Sequence, residues 1–271
     1  MKKRSKLSLI LISLFSAAFV ISSCKTLRVV NCAMQEEKAF DDLKKTAAKN
    51  DRADPEKKDN KKDKAGEKTT AAKKTTKEEK TDPRYMELKK SNPDFFGWLS
   101  IEGTVLDYPV MYTPNDPEYY LHRNFDGEYS YGGVPFIQGD CREGCGNYLM
   151  HGHNMKNGSM FAGILFYKDK SYWKEHPVIS FDTPYENGEY EVMSAFYSKV
   201  YMSDEENVFK YYKYTDLTDK KVFDEYAKQV KAAALYDTGV DAEYGDEFIT
   251  LSTCAYHTEN GRFVVIARKK H

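Results

Sequence analysis

Cys254 is the residue best suited to nucleophilic chemistry. It closes the run 247–254, which is rich in apolar and β-branched residues and is typical of a strand. The thiol would then lie at the rim of a sheet, where a substrate can reach it. A buried structural cysteine is the alternative, and the residues around Cys254 decide between the two.

Two histidines, His151 and His153, end another predicted strand, 147–153. Side chains alternate along a strand, so both imidazoles lie on one face and one of them could meet Cys254. A thiol with a pKa of about 8.5 needs a base or an imidazolium neighbour to become a useful thiolate near neutral pH. The pair therefore supplies candidates for an acid–base partner.

Arg262 begins the next predicted strand, after the connection 255–261. A hairpin of this length brings Arg262 back beside Cys254. Its permanently charged guanidinium would stabilise the negative charge that acyl transfer develops on the attacked carbonyl oxygen. An arginine that only solubilises the edge of an apolar strand is the alternative.

The same region supports two other functions. His151, His153, Cys254 and His257 carry the ligand types of a zinc site, although Arg262 would then lie beside a cation that it repels. A hydrolytic cysteine peptidase acting on wall peptides would use the same Cys254 and His153 and pass the acyl group to water, but no Asp or Asn orienter is evident. The preferred interpretation is acyl transfer with neither a metal nor a cofactor.

The elements that would position these residues lie after residue 84. Short runs separated by Gly, Pro, Asn and Asp predict strands at 98–101, 104–112, 147–153, 178–181, 190–197, 247–254 and 262–268. Short strands with frequent turns favour a closed barrel or a sandwich. Helices are predicted at 83–92, at 159–166 and, from the spacing of Val222, Tyr226, Val230 and Ala233, at 219–236.

The first 84 residues differ in composition from the rest. All 21 tyrosines lie at or after Tyr85, whereas 44–84 contains no aromatic residue and no Val, Ile, Leu or Met. Such a segment cannot offset the entropy lost on ordering, so we expect 44–84 to be a disordered charged linker and 85–271 a single catalytic domain. The net charge of −1 gives no reason to expect a nucleic-acid partner.

The N-terminus resembles a membrane anchor. Four basic residues among the first six precede an uncharged run, 7–24, of 18 residues. A bilayer span needs about 20 apolar residues, with a lower limit of about 17, and the basic cluster stays in the cytoplasm. We expect 1–24 to be an uncleaved single-pass anchor, 25–43 a juxtamembrane segment and the catalytic domain to be extracellular. A cleaved signal peptide and a lipidated Cys24 are the alternatives.

The motifs TLSTC at 250–254 and GHNM at 152–155, followed by Arg262, resemble those of a class B sortase. The similarity covers nearly all of 85–270 and includes KNGSMF at 156–161. It implies a mainly β fold, namely a closed eight-stranded sortase-type β-barrel with an N-terminal helical part and an extra helix before the cysteine strand.

The resemblance also implies a cysteine transpeptidase of the Gram-positive cell surface. Cys254 would attack a threonine carbonyl in the C-terminal sorting signal of a secreted protein and form a thioester. His153 would protonate the leaving amine and deprotonate the incoming one, Arg262 would hold the oxyanion or the substrate backbone, and Ser252 would line the substrate groove. The acceptor would be an amine of a peptidoglycan cross-bridge or stem peptide, or a pilin lysine.

Two features depart from the family pattern. His151 stands two positions before His153, where the family often has tyrosine. Cys141 and Cys145 lie in the loop before the histidine strand, either as a local disulfide or as two thiols.

Overall fold

The computed structural model describes residues 81–271 continuously, together with 38–47 and the isolated residues 12, 14, 19, 20, 22, 23 and 34. The chain divides into two compact units, Met1–Lys45 and Thr46–His271. Residues 38–47 are helical. No helix among the described residues is long and apolar enough to cross a bilayer. The predicted anchor 1–24, juxtamembrane segment 25–43 and linker 44–84 lie largely outside the described residues.

Eight strands form the body of the second unit: β1 (Phe95–Ser100), β2 (Asp107–Met111), β3 (Phe136–Ile137), β4 (Asn147–His151), β5 (Val178–Asp182), β6 (Glu189–Lys199), β7 (Phe248–Cys254) and β8 (Gly261–Lys269). They close in the order β1-β2-β3-β4-β7-β8-β6-β5, which leaves no strand with a free edge. The predicted closed eight-stranded barrel is confirmed. Only β3 is absent from the predicted strands, because two residues are too few to show alternation.

The strand directions collect the candidate residues at one rim of the barrel. β4 and β7 are parallel neighbours, with His151 opposite Ser252, so both strands end at the same rim. β7 and β8 are antiparallel, and β8 therefore starts where β7 ends. The end of β4, the end of β7 and the start of β8 meet at this rim.

The helices of this unit are α1 (Pro83–Ser91), α2 (Lys170–Glu175) and α3 (Lys220–Ala233), and 3₁₀ turns occur at Tyr119–His122, Phe161–Lys168 and Tyr211–Lys213. The helix predicted at 159–166 is thus a 3₁₀ turn, and it follows Met160, whose φ is +56°. The helix α2 was not predicted, because it buries no residue and so has no apolar stripe.

The predicted helix before the cysteine strand is α3. Asp219 caps it by accepting hydrogen bonds from two backbone N–H groups of the first turn. The residues that α3 buries are Phe223, Tyr226 and Val230. Val222, placed in the apolar stripe by sequence analysis, is 36% exposed, so the true stripe starts one residue later. Phe223 and Tyr226 contact the ring of Phe248 at 5.8 and 5.4 Å between centroids, and α3 therefore covers the start of β7.

The N-terminal helical part is α1. Its buried residues are Tyr85 and Leu88, and the Tyr85 ring stacks on Phe95 of β1 at 6.1 Å. Tyr85 Oη also donates a hydrogen bond to Asp182 at 3.1 Å. The backbone N–H of Asp82 donates to Pro184 O at 2.9 Å. The helix is therefore joined to the barrel by packing and by hydrogen bonds.

Candidate active site

Cys254 is the last residue of β7 and the only residue of that strand that is not fully buried. Its carbonyl oxygen accepts a hydrogen bond from Asn154 Nδ2 at 2.9 Å. The preceding residue, Thr253, donates from Oγ1 to Gly152 O at 2.7 Å. Cys254 therefore lies at the barrel rim, and side chains and backbone groups tie it to the segment that follows β4.

Arg262 lies directly opposite Cys254 in the β7–β8 pair. Between them, the N–H of Ala255 donates to Gly261 O at 3.0 Å. A Cβ atom on Gly261 would come within 2.1 Å of Ala255 O, so only glycine fits in this hairpin. Arg262 Nη1 donates to Gly261 O at 3.0 Å.

The guanidinium of Arg262 is a cation without a counter-ion in the part of the chain that the structure describes. No Asp or Glu there lies within ion-pairing distance of it. Arg268, in the same strand, instead pairs with Glu191 at 3.0 Å. An arginine whose charge is not neutralised is free to attract a developing negative charge beside Cys254.

His153 follows β4 in a segment that is held against the end of β7. The N–H of Gly152 donates to a β7 carbonyl at 3.3 Å, and His153 O accepts from the N–H of Phe161 at 2.9 Å. A Cβ atom on Gly152 would lie 2.6 Å from the Phe161 ring. Because the residues on either side of His153 are bonded to the end of β7, this backbone lies beside Cys254.

The Tyr119–His122 turn orients the His153 ring. Nε2 and Leu121 O are 3.0 Å apart, and since a carbonyl oxygen only accepts, Nε2 carries the proton and Nδ1 is left as the proton acceptor. The His122 ring stacks on His153 at 5.2 Å. Burial lowers the pKa of His153, the Leu121 hydrogen bond raises it and the charge of His122 lowers it. The net shift is downward, so His153 is neutral near pH 7.

His151 occupies a different environment. Its Nε2 lies 3.2 Å from Gln138 Oε1, and its ring centroid lies 5.7 Å from that of Phe136. Burial, followed by the positive charge of Arg262, lowers the pKa of His151 to about 4. His151 is therefore an uncharged neighbour of Arg262 and is poorly suited to accept a proton at neutral pH.

Ser252 is 1% exposed, and its Oγ lies 2.7 Å from Tyr211 Oη. Burial raises the pKa of Tyr211 to about 12, while the charge of Arg262 opposes this shift and that of Cys254 adds to it. The Tyr211 hydroxyl is thus close enough to both residues to interact with their charges. In this structure Tyr211 covers Ser252, and the role of Ser252 in lining a substrate groove stays a prediction.

Three residues of this site were not predicted from the sequence: Tyr211, His122 and Gln138. Each belongs to a loop or a 3₁₀ turn that the barrel closure brings to the rim, and no local pattern links any of them to Cys254. The aromatic run at 211–214 was the one available signal, and it is equally typical of a core segment.

The four residues of the alternative zinc site do not form a ligand cluster. Within the described residues, no group of three or more His, Cys, Asp or Glu side chains is placed to hold a metal ion. His257 packs instead on the ring of Tyr197 at 4.7 Å. Cys141 and Cys145 are buried free thiols in this structure.

Comparison with known proteins identifies relatives along most of the chain. No protein-family model matches. The chain is 35% identical over 185 residues to sortase B of Listeria monocytogenes, an alignment that covers 66% of this chain and 71% of that protein. It is 27% identical over 190 residues to sortase B of Staphylococcus aureus, with 69% and 74% covered. A solved Staphylococcus aureus sortase B–substrate complex has the same fold, with a TM-score of 0.67 at 22% identity over 88% of this chain and 97% of that one.

Proposed function

The chain belongs to the class B sortases, which are cysteine transpeptidases, and we propose that Cys254 is its nucleophile, His153 its general acid and base, and Arg262 the cation that stabilises the oxyanion. The main observation in support of these roles is that the end of β4, the end of β7 and the start of β8 meet at one rim of the barrel. There Arg262 is the cross-strand partner of Cys254, and the backbone around His153 is bonded to the end of the cysteine strand.

In the first half-reaction, Cys254 Sγ attacks a threonine carbonyl carbon of the sorting signal. Neutral His153 accepts the thiol proton at Nδ1, the nitrogen left free by the hydrogen bond to Leu121. The carbonyl oxygen becomes an oxyanion that the Arg262 guanidinium stabilises. When the tetrahedral intermediate collapses, the departing amine takes its proton from His153, and a thioester remains on Cys254.

In the second half-reaction, an amine attacks the thioester. His153, neutral again, removes a proton from that amine, and Arg262 stabilises a second oxyanion. Collapse releases the new amide and returns the proton to Cys254. Each half begins with a neutral His153 that accepts a proton and ends when the protonated ring gives that proton up, so a single histidine that is neutral near pH 7 can serve both.

The proposed substrates are secreted proteins with a C-terminal sorting signal. The proposed acceptors are amines of a peptidoglycan cross-bridge or stem peptide, or a pilin lysine. One solved structure with the same fold is a Staphylococcus aureus sortase B–substrate complex, which supports the view that this fold binds a substrate. The basic cluster and the apolar run 7–24 support a single-pass anchor, with the charged segment 44–84 as a spacer outside the membrane.

Peptide libraries with one constant threonine and varied flanking residues test the nucleophile. With hydroxylamine as a small acceptor, the wild-type protein should form peptide hydroxamates and an acyl adduct on Cys254 that intact mass spectrometry detects after an acid quench. Cys254→Ala should form neither product and should keep the circular dichroism spectrum of the wild type. Turnover by Cys254→Ala would exclude the proposed nucleophile.

The hydrolytic alternative differs in the fate of the thioester. As the concentration of an amine acceptor rises, a transpeptidase should convert an increasing share of the acyl group to amide at the expense of carboxylic acid. The product ratio, measured by chromatography over a range of amine concentrations, separates the two functions. A product that remains entirely carboxylic acid would favour the hydrolytic peptidase.

A further inference from the structure

The β3–β4 loop contains a pair of thiols that the proposed acyl transfer does not use. Cys141 and Cys145 are each 1% exposed, whereas the three residues between them, 142–144, are exposed. Both side chains are free thiols. Two thiols in one short loop form a redox-capable pair when their sulfur atoms can meet.

The loop brings the two sulfur atoms together. Both sulfur atoms lie within hydrogen-bonding distance of Asn147 O, Cys141 Sγ at 3.5 Å and Cys145 Sγ at 3.3 Å. Cys141 has a single S–H, which it can give either to this oxygen or to Cys145 Sγ. The N–H of Cys145 donates to Arg142 O at 3.0 Å, and Gly144 has a φ of +72°. The chain has thus already turned back on itself, and it places both sulfur atoms beside the same carbonyl oxygen.

The two thiols differ in acidity. The hydrogen bond from Cys141 lowers the pKa of Cys145, and the same bond, together with burial, raises the pKa of Cys141. Because the thiolate is the attacking species in thiol–disulfide exchange, Cys145 is suited to attack and Cys141 to resolve.

We propose that Cys141 and Cys145 form a dithiol–disulfide site that low-molecular-weight disulfides, such as glutathione disulfide, oxidise. When the loop is open, as it is during refolding, the Cys145 thiolate attacks one sulfur of the small disulfide, forms a mixed disulfide and releases one thiolate. Cys141 then gives its proton to that thiolate and attacks Cys145 Sγ, which releases the second thiolate. Two electrons pass from the protein dithiol to the small disulfide, which is reduced to two thiols, and the Cys141–Cys145 bond forms.

The Cys141–Cys145 bond would close part of the β3–β4 loop. This loop directly precedes β4, and His153 follows β4. The loop is already joined to its surroundings, because Cys145 O accepts from the N–H of Leu217 at 2.7 Å and Tyr112 Oη donates to Cys141 O. A covalent closure restricts the unfolded chain, so the oxidised protein should unfold at a higher urea concentration than the reduced protein. The inference does not depend on the roles proposed for Cys254.

Peptide mapping of the full chain tests the proposal. Trypsin cleaves after Arg142, between the two cysteines, and yields peptides 124–142 and 143–156. The Cys254→Ala variant, which lacks the reactive thiol of the rim, is equilibrated with glutathione disulfide, quenched in acid, alkylated under denaturing conditions and digested. We expect 124–142 and 143–156 to appear as one linked species that separates on reduction. Two separate, alkylated peptides after equilibration of both the folded and the refolding protein would overturn the proposal.

Single serine variants in the same background test the order of attack. Cys141→Ser should accumulate a glutathione adduct on Cys145, because the resolving sulfur is missing. Cys145→Ser should acquire much less adduct on Cys141 in the same time. The mass of peptides 124–142 and 143–156 reports each adduct, and equal labelling of the two variants, or adduct on Cys141 alone, would contradict the assignment of Cys145 as the attacking thiol. The mapping of the linked species does not require either serine variant to fold.

Discussion

Cys254 and Arg262 face each other across the β7–β8 pair, and a hairpin with little conformational freedom joins them. Asn260 has a φ of +51°, and its carbonyl oxygen accepts from the N–H of Val200 at 3.0 Å. Gly261 has no room for a side chain. The relative position of the Cys254 and Arg262 backbones is therefore set largely by backbone hydrogen bonds, which favours a preorganised electrostatic site.

Replacing Arg262 should impair catalysis even when the positive charge is kept. We expect Arg262→Lys and Arg262→Ala both to lower kcat/KM by about 10²- to 10³-fold. A compact ammonium does not reproduce the planar, paired donors of the guanidinium. Peptide-cleavage kinetics measure the effect. Near-normal activity of Arg262→Ala would show that Arg262 has no catalytic role and only solubilises the edge of the strand.

Arg268 provides a matched contrast in the same strand. It donates to Asp241 O at 2.9 Å and pairs with Glu191 at 3.0 Å, so its contacts hold β8 to its neighbours. Arg268→Ala should lower the urea midpoint of unfolding while leaving kcat/KM of the folded enzyme close to the wild-type value. A loss of kcat/KM comparable with that of Arg262→Ala would show that the effect on catalysis is not specific to Arg262.

The two histidines of β4 and its extension should differ in importance. His153→Gln should lower kcat/KM by about 10²- to 10⁴-fold, since it removes the general acid and base. His151→Gln keeps a polar side chain beside Gln138 and removes no proton-transfer group, so its loss should be much smaller. The reverse order in peptide-cleavage assays would assign the acid–base role to His151.

The pH dependence of catalysis should report on His122. His153 must be neutral to accept the thiol proton, so kcat/KM should be retained above its lowered pKa and fall as the pH drops through that value, below about 6.5. His122→Phe keeps a stacked ring but removes the charge that lowers this pKa, so the acidic limb should move to higher pH while the plateau changes little. A pH profile of kcat/KM for both proteins measures the shift, and coincident limbs would show that His122 does not influence His153.

Acid should destabilise the fold through His151. Its pKa is about 4 in the folded protein against an ordinary value of 6.5, so the unfolded chain takes up the proton first as the pH falls. The free energy of unfolding is therefore unaffected by this histidine above pH 6.5. It decreases as the pH falls from 6.5 to about 4, because over this range the unfolded chain binds the proton and the folded protein does not. The loss should not exceed about 3 kcal/mol, because the ring is partly exposed and water screens its charge. Urea unfolding at pH 7 and 4.5 should show a smaller loss for His151→Phe than for the wild type, and equal losses would exclude this histidine as the cause.

Two truncations should separate the N-terminal segments from the folded domain. Removing residues 1–80 keeps Asp82, which caps α1, and should give a soluble enzyme with the wild-type kcat/KM on free peptides. Removing residues 1–91 also deletes Tyr85 and Leu88, and each buried apolar side chain of this size contributes about 1.5 to 3 kcal/mol. Thermal unfolding should show a clear loss only for the longer deletion. An insoluble or inactive protein after removal of 1–80 would show that the earlier residues belong to the domain.

The sequence by itself determined most of the strands and the helix before the cysteine strand, and its motifs, through their resemblance to a class B sortase, predicted the closed barrel and the three proposed catalytic residues. These were readable because each depends on local information. Alternation along β7 and β8, the short connection between them and the motif around His153 lie within a few residues of the side chains that they position.

Only the tertiary structure decided which groups surround those residues. The turn that orients His153, the tyrosine over Ser252 and the glutamine beside His151 come from parts of the chain 13 to 41 residues away from the groups that they contact. The apolar stripe of α3 begins at Phe223 and not at the predicted Val222 for the same reason. Phe223 is buried against the ring of Phe248, which belongs to β7. Pairings of this kind arise when the barrel closes, because burial and hydrogen bonding select them in three dimensions and no local pattern of residue types records them.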